Sequence, residues 1–305
     1  FYMPIFEEAL DAYGLPLELR YLPIIESALN PSAVSRAGAS GLWQFMIGTG
    51  KIYGLESNSL VDERRDPIKA TWAAARYLKE MYDIYGDWNL VIAAYNCGPG
   101  TINKAIRRAN GETDYWKIYN YLPKETRGYV PAFIAANYVM TYYCDHNICP
   151  METNIPASTD TVQVNKNLHF EQIADLCNVP LDQIKSLNPQ YKKQMIPGDS
   201  KPYTLRLPID AISTFIDKQD TIYAHRADEL FRNRKTVAVK EITPSTRKTT
   251  TAVAGKGKLT YYTIKSGDTL STIAGKYGVT IKDIQRWNGM SNTKIAAGKR
   301  LKIYK

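Results

Sequence analysis

The chain has 305 residues, with 39 Lys and Arg against 30 Asp and Glu, 44% apolar and 11% aromatic residues, and four cysteines. This composition excludes a collagen-like chain, a disulfide scaffold and wholesale disorder, and the length allows two or three folded units at about 100–200 residues each. The longest charge-free apolar run, 130–143, contains Pro131 and Asn137 and falls short of the roughly 20 residues a membrane-spanning helix needs. A net charge of +9 first suggests nucleic acid or a membrane surface. Its distribution argues otherwise. Residues 1–150 carry 14 basic and 16 acidic side chains, whereas 255–305 carry 11 basic and 2 acidic ones.

Residues 1–150 read as an all-helical domain. The chain opens on Phe1 with no basic-then-apolar leader, so an export signal or anchor is expected to lie outside this sequence. Residues 16–29 predict a helix stopped by Asn30-Pro31. Ala74, Leu78, Met81 and Tyr85 recur at i, i+4, i+7 and i+11, which predicts a long helix from Pro67 to Gly86. Residues 88–96 predict a second, mostly apolar helix closed by Gly98-Pro99-Gly100.

From about residue 160 the texture changes to short strand-like and helical pieces. At an offset of 100 the chain matches itself: Ile173-Ala174 with Ile273-Ala274, Val179 with Val279, Ile184 with Ile284, Asn188 with Asn288. This predicts two βααβ units, 160–209 and 259–305, the first with extra residues near 191–202. Between them lies an extension and linker, 210–258. Residues 210–235 are either a helix packed on the first unit or the start of the linker, and 236–258, rich in Thr and Lys, read as flexible. The expected class is a multidomain α+β protein.

Glu26 is the sharpest local anomaly. On a helix Leu22, Ile25 and Leu29 form one apolar stripe, and Glu26 sits beside them. A carboxyl placed there is partly desolvated and stays protonated nearer neutral pH, as a general acid for glycoside cleavage requires. The competing reading is a stripe-edge Glu that reaches water or pairs with an Arg. Downstream, small residues mixed with Ser35, Trp43, Gln44 and Phe45 suit the close approach of a sugar ring.

The set ESALNP (26–31), SRAGASGLWQFM (35–46), TGKIYGL (49–55), DERRDP (62–67), AAYNCGPG (93–100) and LPKETRGYVP (122–131) resembles the lytic murein transglycosylases of the soluble-transglycosylase, lysozyme-like family, most nearly the membrane-bound D type. Residues 262–288 resemble a LysM domain. The first repeat resembles a divergent LysM, with NKNLHF at 165–170 in place of the SGDTL sequence. The resemblance implies an all-α lysozyme-like domain over 1–150 followed by two small LysM-type units. It also implies cleavage of the β-1,4 bond between N-acetylmuramic acid and N-acetylglucosamine in peptidoglycan, with closure of a 1,6-anhydro ring, no cofactor and no metal.

Carried over by motif, Glu26 is the single catalytic acid/base. Ser35 would contact the N-acetyl or C6 region of the muramyl sugar, Gln44 and Tyr95 would line the site with Tyr95 positioning Glu26, and Asn96 would line it or hold its loop. Glu125 and Tyr129 would lie on the helix bounding the substrate groove. The charge run Asp62–Asp66 reads as salt bridges and a helix start. Pro99 stands where many family members carry an acidic residue. In the LysM unit Ser266, Gly267, Asp268, Thr269 and Leu270, with Ile295, would line a shallow glycan groove, although Asp268 could equally cap the following helix.

Expected partners are peptidoglycan glycan strands, and no aromatic–basic motif supports nucleic acid. The basic end either draws the chain toward anionic envelope material or is plain solvated surface. The resemblance places the protein in the bacterial cell envelope, periplasmic and anchored, if at all, through a segment outside this sequence. Cys144 and Cys149 lack the second ligand pair of a zinc site, and in an exported protein they would pair as a disulfide; Cys97 and Cys177 read as buried thiols. A hydrolytic muramidase on the same fold and a non-catalytic glycan-binding protein remain the competing functions.

Overall fold

The structure is a computed structural model that describes residues 1–150, 153, 155–231, 259–265, 267–290, 293 and 295–304. It divides into two compact units, Phe1–Glu241 and Ile242–Lys305. The expected linker falls largely on 232–258, outside the described residues, as does Ser266.

The first part is helical: α1 (Tyr2–Ala12), α2 (Leu22–Ser27), α3 (Ile47–Ile52), α4 (Pro67–Tyr85), α5 (Trp88–Cys97), α6 (Pro99–Arg108), α7 (Tyr115–Ile118) and α8 (Lys124–Tyr142). The long helix expected between Pro67 and Gly86 forms as α4. Asp66 caps it by accepting from the Ile68 and Lys69 amides at 2.9 and 3.0 Å, with Pro67 at the first helical position. α5 is the central helix. Its Leu90, Val91, Ala93 and Ala94 are fully buried, and it packs against both α4 and α8. After the single break at Gly98 the chain re-enters a helix at once, α6.

The helix expected over 16–29 is instead a 3₁₀ turn, Leu17–Tyr21, followed by α2. Pro23 has no amide hydrogen to give to Leu19 and lies in the first turn of α2, where proline favours a new helix start over one continuous helix. Ala28 and Leu29 then adopt left-handed φ of 50° and 60°, which ends α2 directly after Ser27.

The second half of the first unit contains β1 (Thr159–Val164), β2 (Asn167–His169), α9 (Phe170–Cys177), α10 (Leu181–Leu187), β3 (Met195–Pro197) and β4 (Tyr203–Pro208). β1 and β4 pair antiparallel from Thr159↔Pro208 to Val164↔Tyr203, and Tyr203, Leu205 and Leu207 alternate into the core. The ambiguous stretch after 209 folds into α11 (Ile209–Asp217), α12 (Gln219–Ala224) and α13 (Ala227–Leu230); α11 and α12 pack on α9. Leu60 and Val61, from the helical domain, are buried in this same core.

The Ile242–Lys305 unit contains β5 (Leu259–Thr263), α14 (Leu270–Tyr277), α15 (Ile281–Asn288) and β6 (Arg300–Tyr304), with β5 and β6 antiparallel. The internal repeat has a physical basis in its asparagines. Asn188 takes the Arg206 amide at 2.9 Å and donates to the Arg206 carbonyl at 2.7 Å. Asn288 does the same to Lys302 at 2.7 and 2.8 Å. In each copy the asparagine ending the second helix fastens the last strand. Among the described residues, no helix is long and apolar enough to cross a membrane.

Candidate active site

Glu26 lies in the last turn of α2, half-buried, beside a core that includes Leu22 and Trp43. Burial pushes its carboxyl up to about 7; a hydrogen bond from Tyr129 opposes that shift, and the nearby charge of Glu125 adds to it. The Tyr129 hydroxyl donates directly to Glu26 Oε1. Burial and the adjacent carboxylate hold the Tyr129 phenol well above its ordinary range, so it remains a donor.

The segment 33–45 is a small folded loop tied to the end of α2 and to Tyr95. Ser40 bridges both Val34 and Phe45. The neighbour of Glu26, Ser27, donates to the Leu42 carbonyl at 2.9 Å, which fastens the α2 end to the loop. Gln44, at a left-handed φ of 47°, turns its amide back onto the Gly41 and Ala33 carbonyls at 2.8 and 3.2 Å. Ser35 is exposed; its Oγ accepts from the Ala39 amide at 3.0 Å, a bond that leaves its own O–H able to donate.

Tyr95 does not grip Glu26 as expected. Its hydroxyl donates to the Trp43 carbonyl at 2.7 Å, and Tyr129, expected only to bound the groove, is the residue that holds the carboxyl. Asn96 secures α8, its side-chain oxygen accepting from Thr126 Oγ1 at 2.9 Å. Glu125 is exposed at the start of α8. Glu26, Glu125, Tyr129 and Tyr95 are therefore brought together, whereas Ser35 and Gln44 stand in the loop 33–45, and no hydrogen bond among the described residues joins either to Glu26.

Arg64 was expected only as part of a charge run. It is 5% exposed, and its Nη1 donates to the carbonyls of Gly38 and Phe45 at 2.8 and 2.9 Å, bracing the middle and the end of the loop. The signal was DERRDP itself, two arginines among three acids just before a helix cap.

In the Ile242–Lys305 unit, Asp268 accepts from the Tyr262 hydroxyl and the Lys265 amide, both at 2.8 Å, and so holds the turn. The cap of α14 is Thr269, not Asp268. Leu270 is 2% exposed and belongs to the core, so its side chain is not available to a groove. Gly267 and Thr269 are exposed and Ile295 half-buried, leaving the strip between 267–269 and 295–298 open. In the first copy the corresponding strip is closed. Asn167, Leu168 and His169 pair with Pro197, Ile196 and Met195, and a Cβ on Gly198 would stand 2.2 Å from the Lys166 carbonyl oxygen.

Cys144 and Cys149 are free and exposed, so the expected disulfide is not formed; Cys177 is buried and Cys97 half-buried. Among the described residues, no group of three or more His, Cys, Asp or Glu side chains comes together in a way that could hold a metal ion.

Family models match the same divisions of the chain. Residues 3–118 match the transglycosylase SLT domain, 158–224 the LysM-like domain of lytic transglycosylase MltD, and 262–303 the LysM domain. Over 95% of its length the chain is 33% identical to the membrane-bound lytic murein transglycosylase D of Escherichia coli strain K12, spanning 60% of that relative. It is also 33% identical to the soluble lytic murein transglycosylase of the same strain, over 39% of this chain and 19% of the relative. The crystal structure of the 70 kDa soluble lytic transglycosylase SLT70 from Escherichia coli covers 46% of this chain and 24% of its own, at 29% identity and a TM-score of 0.40. The chain therefore carries a transglycosylase SLT domain, followed by a LysM-like domain of the transglycosylase D kind and by a LysM domain.

Proposed function

We propose that the protein is a peptidoglycan lytic transglycosylase of the cell envelope. The carrying observation is Glu26, a carboxyl pushed up to about 7 by burial and oriented by Tyr129. Protonated Glu26 gives its proton to the glycosidic oxygen between N-acetylmuramic acid and N-acetylglucosamine, and the C1–O bond breaks. The resulting carboxylate takes the proton from the muramyl C6 hydroxyl as O6 attacks C1, closing the 1,6-anhydro ring. Glu26 ends protonated, as it began, and no water is consumed. A pKa near the working pH suits a group that must act as acid and then as base. Ser35 would donate to the muramyl sugar, Gln44 and Tyr95 would fix the loop and wall of the site, and Asn96 would hold α8 behind it. The open strip at Gly267, Asp268, Thr269 and Ile295 would carry wall binding, with the basic residues around it attracting anionic envelope material; periplasmic action follows from that substrate.

Glu125 gives a specific reason to keep a hydrolytic muramidase as the second reading, because a water-using mechanism calls on a second carboxylate. Mass spectrometry of digested sacculi separates the readings. Anhydro-muropeptides that disappear in Glu26→Gln support the lytic reaction; reducing muramyl ends would establish hydrolysis instead. An inactive wild type would leave a glycan-binding protein.

A further inference from the structure

We propose that the LysM-like region acts on the active site through a strut, Lys192–Asp62–Arg64, in which Arg64 and Lys192 are positioning residues for the loop fastened to the end of α2 beside Glu26. This rests on the function proposed above and adds a role for a region whose own glycan strip is closed.

The strut begins at the seam between the helical domain and the LysM-like region. Val61 bridges Tyr191, the Asp62 amide donates to the Gln190 carbonyl at 2.8 Å, and the Lys192 amide donates to the Leu60 carbonyl at 2.6 Å. The Lys192 ammonium donates to the Asn58 carbonyl at 2.9 Å and stands 3.5 Å from Asp62 Oδ2. Asp62, 1% exposed, is held by the Arg64 fork through Nε and Nη2, both at 2.8 Å. The remaining guanidinium nitrogen, Nη1, reaches across to Gly38 and Phe45. Arg65 adds a bond from Nε to Ser40 Oγ at 3.1 Å.

Each nitrogen of the guanidinium thus donates either to the carboxylate beneath it or to the loop above it. A planar fork fixed on both sides transmits position, which a flexible ammonium in its place would not. The loop in turn is fastened to the residue after Glu26 through Leu42 and Ser27. Lys192 is the contribution of the LysM-like region to this chain of bonds, and it touches neither Glu26 nor the loop itself.

The test uses the full chain with Lys192→Met, Lys192→Arg and Arg64→Lys, and Glu26→Gln as the reference for lost chemistry. Turnover is measured on a soluble glycan strand, together with amide exchange over 33–45 and thermal unfolding. Lys192→Met is expected to lower kcat roughly tenfold with KM nearly unchanged, in keeping with the sensitivity of rate to small misplacements. It should also speed exchange within 33–45 while α4 stays protected, and Lys192→Arg should restore both. Arg64→Lys should lose more; if it does not fold, Lys192→Met decides alone. Wild-type kcat and unchanged exchange in a folded Lys192→Met protein would overturn the proposal. An inactive wild type would remove the proposed function and leave the exchange measurement to judge the strut.

Discussion

Tyr129 and Glu26, 103 residues apart in the chain, meet through a direct hydrogen bond from the phenol to the carboxyl. Glu125, one turn earlier on the same helix, acts on that carboxyl in the opposite sense. The bond favours the charged form and the neighbouring charge disfavours it. Tyr129→Phe should therefore move the alkaline limb of the pH–rate profile upward, and Glu125→Gln should move it downward. Tyr129→Phe should also lose roughly tenfold in kcat through lost orientation. Shifts in the same direction for both variants, measured on the same substrate, would refute this account of the site. Under the lytic reading Glu125→Gln keeps most of its activity; under the hydrolytic one it does not.

A carboxyl raised from 4.5 to about 7 also costs stability. Between those values the unfolded chain has released its proton and the folded one has not, so folding stability falls as pH rises. The favourable contribution is complete below the unfolded pKa and is lost as pH passes the folded one. The shift corresponds to roughly 3 kcal/mol above pH 7, allowing for partial solvent access. Glu26→Gln, which imitates the neutral acid, should unfold at higher urea than wild type at pH 8 and at nearly the same urea at pH 5. Equal midpoints at both values would mean that the carboxyl is not desolvated.

Much of the helical domain was legible because its signals are local. The α4 stripe, the Asp66-Pro67 start and the Gly86 stop all lie within one helix, and each forms where its residues indicate. Pro23 was equally visible, yet the apolar stripe of 16–29 outweighed it; the proline takes the first turn of α2, and a 3₁₀ turn precedes it. The exchange of roles between Tyr95 and Tyr129 could not be read. Both are phenols in recognisable motifs, and only the packing of α8 against α2 determines which hydroxyl reaches Glu26. The repeat showed two units of one kind but concealed that one is closed, because the pairing of β2 with β3 joins segments that lie far apart in the chain.

Gly41 shows how tightly the loop is seated. It has a φ of 90°, and a Cβ added there would lie 1.7 Å from the Arg64 carbonyl oxygen, a backbone atom that cannot swing aside. Gly41→Ala must therefore displace either the loop or the start of the DERRDP turn. A strained φ together with a backbone clash should destabilise by about 3 kcal/mol or more. Urea unfolding checks the size of the effect. Activity measured where the variant is still folded should fall as well, since Leu42, Trp43 and Gln44 follow immediately. A variant as stable and active as wild type would show that the loop has slack which its bonds to Arg64 do not reveal.

The two LysM-type regions should contribute unequally to wall binding. In the 259–304 copy the turn held by Asp268 and the segment 295–298 leave a strip exposed. In the earlier copy Leu168 and Ile196 are fully buried across the equivalent position, paired as strands, with Gly198 pressed against Lys166. A glycan cannot enter there without breaking backbone hydrogen bonds and exposing apolar side chains, both unfavourable. A chain ending at Glu241, the limit of the first compact unit, should pellet with sacculi at least roughly tenfold less well, as expected when a tethered binding module is removed. Its cleavage of a short soluble glycan should stay near wild type, because Glu26, Tyr129 and the Lys192–Asp62–Arg64 bonds are all retained. Undiminished sacculus binding would assign the wall contact to the first unit, and the closed strip would then have to open in solution.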